Sequence, residues 1–330
     1  MNEIVWMFSG QGSQYYGMGG DLYRTNAHFR QLMESCDDIY REITGRSFLA
    51  VLYPEQRPVD SDFYDTWLTT PALFAIQYSA AKLLMARGHR PDLLVGYSLG
   101  ELVAHTVAGA FHPATTMSIL AGLVQSLERV VGPDRGGMLS LLTGLGLVEQ
   151  RSEWFVGLEI AAINSPENFV VAGPSDALER LSARCREADI LHQRLPVEYA
   201  YHTSDIERVR SQFLGQESPP EQVGRLPVLG ASDPDSDDPP NLERLWRTVR
   251  HAVRFDRIVH RLMAREIHHA IDLGPSGALC GVMKRALGAE KSTAFMTRFA
   301  GWRCDLQRID RIRAGQPSRP RLQGPYQGMR

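Results

Sequence analysis

Residues 92–100, Asp92-Leu93-Leu94-Val95-Gly96-Tyr97-Ser98-Leu99-Gly100, decide how the rest of the chain is read. The apolar run Leu93-Leu94-Val95 reads as a short strand buried on both faces, and Gly96 marks its exit. From Gly100 to about Gly109 the pattern is helical. Between strand and helix lies G-x-S-x-G. That spacing alone says little in a chain with 29 glycines. Its setting, with a strand before and a helix after, is that of a nucleophile elbow. A side chain at either glycine would collide with the backbone of so sharp a turn. The Ser98 hydroxyl then sits at a helix N-terminus, where free N–H groups and the helix dipole stabilise developing negative charge. The alternative is a serine that merely caps the helix.

Working outward, Ile4-Val5-Trp6-Met7-Phe8 is a second continuous apolar run, ended by Ser9-Gly10, and reads as another strand of a parallel sheet. Helical spacing follows over about 21–44 (Leu22, Phe29, Leu32, Met33, Ile39), 71–87 and 114–130. The middle of the chain changes pattern: strand 138–143, helix 146–155, strands 158–164 and 169–172, helix 176–188, strand 192–197. That β-α-β-β-α-β order is ferredoxin-like. The first pattern then resumes with strand 227–229, helix 241–264, strand 268–272 and helix 276–287. The expected fold is therefore α/β: a large α/β-hydrolase-like domain with a parallel sheet, formed by 1–135 and 198–313. A small ferredoxin-like α+β subdomain is inserted at 136–197. The acidic, Pro-rich stretch 232–240 reads as a solvated loop, and 314–330, rich in Gly, Pro, Gln and Arg, as a disordered tail.

Composition narrows the function. The chain has 330 residues, 43% hydrophobic and 22% charged, with a formal charge of -2. That charge gives no footprint for a nucleic-acid backbone. No apolar run reaches the roughly 18 residues of a membrane span, and the start lacks the basic region of a signal peptide. Four cysteines lie far apart with no CxxC spacing, so neither a disulfide scaffold nor a metal site is expected, and the reducing cytoplasm is the expected compartment. A nucleophilic serine needs a base. Of ten histidines, His28, His89, His192 and His251 read as surface positions, and His268 and His269 flank a strand. His202 follows Tyr199-Ala200-Tyr201, where the insert hands back to the large domain, and from such a seam it can reach Ser98.

Four motifs occur in order: Phe8-Ser9-Gly10-Gln11-Gly12-Ser13-Gln14, Gly96-Tyr97-Ser98-Leu99-Gly100-Glu101, Tyr199-Ala200-Tyr201-His202 and Asp272-Leu273-Gly274-Pro275. Together they resemble the malonyl-CoA:acyl-carrier-protein transacylase family of fatty-acid and polyketide synthesis over residues 3–300. Within it, the chain is most similar to the free-standing acyltransferases that serve polyketide assembly lines in trans. The resemblance implies Ser98 as nucleophile and His202 as general base and acid. It implies an oxyanion hole from the backbone N–H groups of Gln11 and Leu99, worth about 3 kcal/mol per donor. It also implies a main-chain carbonyl at Thr248 that orients the histidine. No cofactor is bound; phosphopantetheine arrives as part of an acyl thioester, on CoA or on an acyl carrier protein.

The chain departs from that family in places. Tyr97 stands where histidine usually precedes the nucleophile. The arginine that normally grips a malonyl carboxylate, 25 residues after the serine, is replaced by Leu123. Arg129 cannot substitute, because six residues rotate it about 120° around the helix. Tyr199 and Tyr201 match neither the malonyl nor the methylmalonyl form of the motif, and with Tyr97 and Leu123 are expected to wall the acyl pocket. The resemblance with these departures implies transfer of a non-carboxylated acyl group, the alternative being an acyl-carrier-protein hydrolase that clears stalled acyl groups. A lipase or esterase would need an acidic triad member and an HGGG-type loop, neither of which is evident. A non-catalytic docking subunit would not need Ser98, His202 and Gln11 together. An acidic carrier protein would dock on basic residues; Arg151, Arg184, Arg186, Arg298 and Arg303 are candidates, against the alternative of a solvated charged face.

Overall fold

The computed structural model describes residues 3–54, 63–132, 135–217, 224–235, 240–298 and 302–313. The elements of the first stretch are β1 (Glu3–Phe8), α1 (Gly20–Thr25), α2 (Ala27–Thr44), α3 (Phe48–Leu52), α4 (Thr66–Ala86), β2 (Leu93–Gly96), α5 (Leu99–Ala108) and α6 (Pro113–Val131). Then come β3 (Gly137–Leu141), α7 (Gly146–Gln150), β4 (Glu159–Ser165), β5 (Asn168–Gly173), α8 (Ser175–Glu187), β6 (His192–Arg194) and α9 (Arg210–Leu214). The chain continues with β7 (Val228–Gly230), α10 (Leu242–Arg250), β8 (Val253–Arg254), α11 (Phe255–Met263), β9 (Ile267–Asp272), α12 (Ala278–Leu287), β10 (Ser292–Ala294) and α13 (Trp302–Arg313).

The main sheet has the order β10-β9-β1-β2-β7, all neighbours parallel. Val5 through Phe8 and Leu93 through Val95 are buried, as continuous apolar runs in a two-sided sheet must be. The register pairs Phe8 with Gly96. The loops that begin at Ser9 and Tyr97 therefore leave the sheet side by side at its C-terminal edge, where α/β folds place their sites. Helix α4 runs through the core and is buried along nearly its whole length. It starts at Thr66, ahead of the expected position, even though Pro71 lies inside it. Pro71 cannot donate to the Trp67 carbonyl; the Tyr40 hydroxyl does so instead, at 2.7 Å.

The inserted unit carries the second sheet, β6-β3-β5-β4-β8. Its first four strands are antiparallel neighbours in the ferredoxin-like order, around a separate core that includes Leu139, Phe169, Leu178 and Leu181. The fifth strand is borrowed: β8 pairs parallel with β4, Ala162 opposite Val253, and comes from beyond the insert.

Two expected helices prove to be divided. The stretch 21–44 breaks at Asn26, whose side chain caps α2 by accepting from Phe29 N–H at 3.0 Å. The stretch 241–264 breaks between α10 and α11, because the backbone there is extended and covers the open edge of β4. Among the described residues, no helix is long and apolar enough to cross a membrane, and no group of three or more His, Cys, Asp or Glu could hold a metal ion. Residues 314–330, and 236–239 of the acidic loop, lie outside the described residues.

Candidate active site

Ser98 stands between β2 and α5 with φ 52° and ψ -123°. Among the described residues only Ser98, Asp189 and His202 are non-glycine residues with positive φ, a conformation that costs about 1–3 kcal/mol and must be imposed by its surroundings. The two glycines of the turn make it possible. A Cβ on Gly100 would overlap the Phe8 carbonyl, and one on Gly96 would overlap the Glu101 backbone. The helix thus seats directly on the end of β1. Ser98 occupies the N-cap position yet makes no capping hydrogen bond. Its Oγ lies instead 2.8 Å from His202 Nε2, which decides against the simple helix-cap reading.

His202, 4% exposed, is held by its own backbone, with N–H donating to the Val249 carbonyl at 3.1 Å. Its Nδ1 lies 2.8 Å from the His251 carbonyl. A carbonyl only accepts, so Nδ1 carries the hydrogen and Nε2 is left to accept from the Ser98 hydroxyl. Burial pushes the His202 imidazole down to about 4, partly countered by the His251 carbonyl, so the ring is neutral near pH 7. The orienting carbonyl therefore belongs to His251 and not, as expected, to Thr248. Thr248 lies inside α10, where its hydroxyl donates to the Arg244 carbonyl. His251 ends that helix in extended conformation, ψ 149°, which turns its carbonyl out of the helical ladder. The divided helix and the displaced carbonyl are one event.

The loop after β1 packs against the elbow. A Cβ on Gly10 would come within 2.9 Å of Ser98 Cβ and the Tyr97 carbonyl, and Tyr97 N–H donates to the Phe8 carbonyl at 2.9 Å. Gln11 and Leu99 line the same cavity as Ser98. Among the described residues, neither of their backbone N–H groups donates to another protein group. Two glutamines absent from the sequence-based set of candidates hold the loop. Ser9 N–H donates to Gln77 Oε1 at 2.7 Å, and Gln77 Nε2 returns a bond to the Ser9 carbonyl at 3.0 Å. Gly12 N–H donates to Gln14 Oε1 at 2.7 Å, and Gln14 Nε2 donates to the Pro196 carbonyl at 2.6 Å. Gln77 had a signal: it is a polar residue that directly follows the apolar run Ala72–Ile76.

Ser98 and His202 open on a narrow cavity of about 60 Å³. Its walls include Leu102, Leu120, Leu123, Met138, Leu245 and Val249. Leu123 is where the sequence placed it, and no lysine or arginine is among the described lining residues; Arg129 is exposed. Tyr97 and Tyr201 line the cavity, but Tyr199 does not. It is turned away beneath the Arg135 guanidinium and packs edge-on against Tyr201, ring centroids 5.9 Å apart. Burial pushes the Tyr97 and Tyr201 hydroxyls far up, so both stay neutral. Tyr97 Oη donates to Asn164 Oδ1 at 2.9 Å, and Asn164 Nδ2 to Asn168 Oδ1 at 2.7 Å. The residue before Ser98 is thus tied to the inserted unit, a link that nothing local in the sequence announces.

Two buried carboxyls lie near these elements and outside the cavity. Glu101 Oε2 accepts from Ser232 Oγ at 2.9 Å, and Arg244 stands 3.5 Å from Oε1. Burial pushes the Glu101 carboxyl up, but His105, Arg244 and Ser232 together hold it below its ordinary range. Asp272, raised to about 6 mainly by burial, accepts from Gly274 and Cys280 N–H at 2.8 and 2.9 Å. Neither carboxyl bonds to His202, whose Nδ1 is taken by the carbonyl, so the acid of a lipase-type triad has no counterpart here. The arginines considered for docking make local contacts. Arg151 lies over the Trp154 ring, Arg184 pairs with Glu187, Arg186 donates to Ser182 Oγ, and Arg298 lies over Tyr15. The side chain of Arg303 lies outside the described residues.

Similarity to known proteins follows the same lines. The polyketide biosynthesis acyltransferase homolog PksD of Bacillus subtilis is 33% identical over 306 residues, 91% of this chain and 93% of that protein. The homolog BaeD of Bacillus velezensis is 31% identical over 326 residues, 97% and 99% of the two chains. Among solved structures, the acyltransferase domain from module 8 of the salinomycin polyketide synthase superposes with a TM-score of 0.81 at 26% identity, over 96% of this chain and 76% of that one. A malonyl-transacylase solved in complex with a type II polyketide synthase acyl-carrier protein shares the fold, with a TM-score of 0.76 at 22% identity over 90% and 96% of the chains. Residues 5–315 match the family model described as the acyl transferase domain, and to that family the chain belongs.

Proposed function

We propose that the protein moves a non-carboxylated acyl group between thioesters of polyketide biosynthesis through an ester on Ser98. The reading is carried by one observation: a strained serine in hydrogen-bond contact with a neutral histidine, at a cavity whose described lining holds no cation. Ser98 Oγ attacks the thioester carbonyl while His202 Nε2 takes the hydroxyl proton. The oxyanion forms between the Gln11 and Leu99 N–H groups. When the C–S bond breaks, the thiolate takes the proton from His202, leaving Ser98 acylated. A second thiol then gives its proton to Nε2 and attacks the ester; as the C–O bond to Ser98 breaks, Oγ takes that proton back and the serine is restored. Phosphopantetheine enters as the thiol-bearing arm of the substrate and not as a resident group. The names of the relatives PksD and BaeD support a role in polyketide biosynthesis, and the malonyl-transacylase solved with its acyl-carrier protein supports such a carrier as partner.

A carboxylated guest such as malonyl would bury its charge against Leu123 and Met138 without a partner. That costs about 3–5 kcal/mol, or roughly two to nearly four decades in kcat/KM. Mass spectrometry of the protein after exposure to butyryl-CoA and malonyl-CoA tests this. Butyryl should add to Ser98, malonyl should add at least a hundredfold more slowly, and Ser98→Ala should take up neither. Equal rates for the two donors would overturn the proposed selectivity. Adding a holo carrier protein to the acyl-enzyme separates transfer from hydrolysis: transfer predicts acyl carrier protein as product. Free acid released at the same rate with and without the carrier would make the protein a hydrolase.

A further inference from the structure

One corner of the cavity is polar. Gln11, Thr70 and Tyr201 line it, and Gln11 Nε2 donates to Thr70 Oγ1. Tyr201 is 8% exposed, and its hydroxyl is buried without a hydrogen-bond partner. Thr66 and Gln11 lie within hydrogen-bonding range of it, but neither makes a bond of full geometry to it. The Thr66 hydroxyl, also buried, is unpartnered as well. Folded proteins rarely leave such groups unpaired, because a lost hydrogen bond is not returned by packing. The phenol cannot swing away to find a partner elsewhere, since Tyr199 is wedged edge-on against its ring. A hydrocarbon guest would leave this hydroxyl unsatisfied. A carboxylate would find one neutral donor and no counter-charge. A hydroxyl or keto oxygen asks only for a dipole, and a dipole is what the corner offers.

We infer that this corner selects acyl groups carrying a neutral oxygen, a hydroxyl or a keto group, with the Tyr201 hydroxyl as the hydrogen-bond partner. The inference rests on the acyl-enzyme reading of Ser98 and deepens it by naming the class of acyl group. Tyr201 acts here in specificity, and the proton transfers of Ser98 and His202 do not pass through it.

The test uses the full chain and N-acetylcysteamine thioesters matched in carbon number: butyryl, the 2-, 3- and 4-hydroxybutyryl isomers, and 3-oxobutyryl. The rate of mass gain on Ser98 is read for each. At least one oxygenated donor should acylate about tenfold faster than butyryl, the size of one neutral hydrogen bond, and Tyr201→Phe should bring that ratio toward one. The inference is overturned if butyryl matches or outruns every oxygenated donor, or if Tyr201→Phe keeps the wild-type ratio. The wild-type ratio needs no variant, so the test stands even if Tyr201→Phe fails to fold. Absence of any mass gain from all five donors would instead strike the acyl-enzyme reading itself, and this inference with it.

Discussion

The two sides of the cavity are built on different terms. On the side of Ser98 and His202, much of the geometry is set by backbone: the positive-φ turn at Ser98, the carbonyl of His251, and, in the proposed function, the N–H groups of Gln11 and Leu99. The turn at Ser98 is held by close approach of main chain to main chain and the loop before Gln11 by the Gln77 side chain, so few substitutions leave the geometry intact. On the enclosing side, the parts are side chains that project from α5, α6 and α10, chiefly Leu102, Leu120, Leu123 and Leu245. Those can be exchanged while the helices stay in place. Under the proposed function, the difference assigns reaction type to backbone conformation and choice of guest to side-chain identity.

The sharpest attempt to break that division is Leu123→Arg, which puts a cation on the enclosing side alone. If guest choice resides there, the malonyl-to-butyryl ratio of Ser98 acylation should rise by about two to nearly four decades while the Ser98–His202 contact persists. A ratio that stays put would show that the reacting side also selects. The next test concerns only the reacting side. Burial holds His202 down to about 4 from an ordinary 6.5, so the base stays unprotonated well into acid. At pH 5, a histidine with the ordinary value would lose about thirtyfold in active form, whereas acylation by a small thioester should lose little. A rate profile that falls already near pH 6.5 would contradict the buried imidazole. Linkage gives the matching sign for stability. Between about 6.5 and 4 the unfolded chain binds the proton that native His202 refuses, so His202 makes stability fall as pH drops through that window.

The mildest test probes the seam between the two sides. Tyr97→Phe removes the donor to Asn164 and leaves a half-buried amide oxygen without it, at a cost of about 1 kcal/mol. A drop of a few degrees in Tm with a several-fold slower acylation would show that the inserted unit helps to aim the elbow. Lost stability with unchanged acylation would confine Tyr97 to packing.

Much of this was legible in the chain. Strands β1 and β2, the elbow and the ferredoxin-like insert rest on runs, glycines and alternations within a few residues of one another. The division of 241–264 was not legible. Leu242, Leu245 and Val249 before it and Phe255, Ile258 and Leu262 after it keep helical spacing, with no Gly or Pro between them to mark the break. Pairing of β8 with β4, a partner some ninety residues earlier, overrides that local preference, and the misplaced carbonyl followed from the same blind spot. Tyr199 was grouped with Tyr201 because they are neighbours in one motif; only the packing of Arg135 shows that it faces elsewhere.

The amino-acid sequence by itself determined where a strained serine would stand, because only glycines at 96 and 100 allow strand, turn and helix to meet so closely. It also determined that leucine, and not a cation, would stand at 123. The tertiary structure decided which histidine nitrogen faces that serine, which carbonyl holds the ring, and which side chains enclose a guest. Those contacts join positions 104 and 49 residues apart, and their geometry is set by packing of whole elements, which no local pattern of residues encodes.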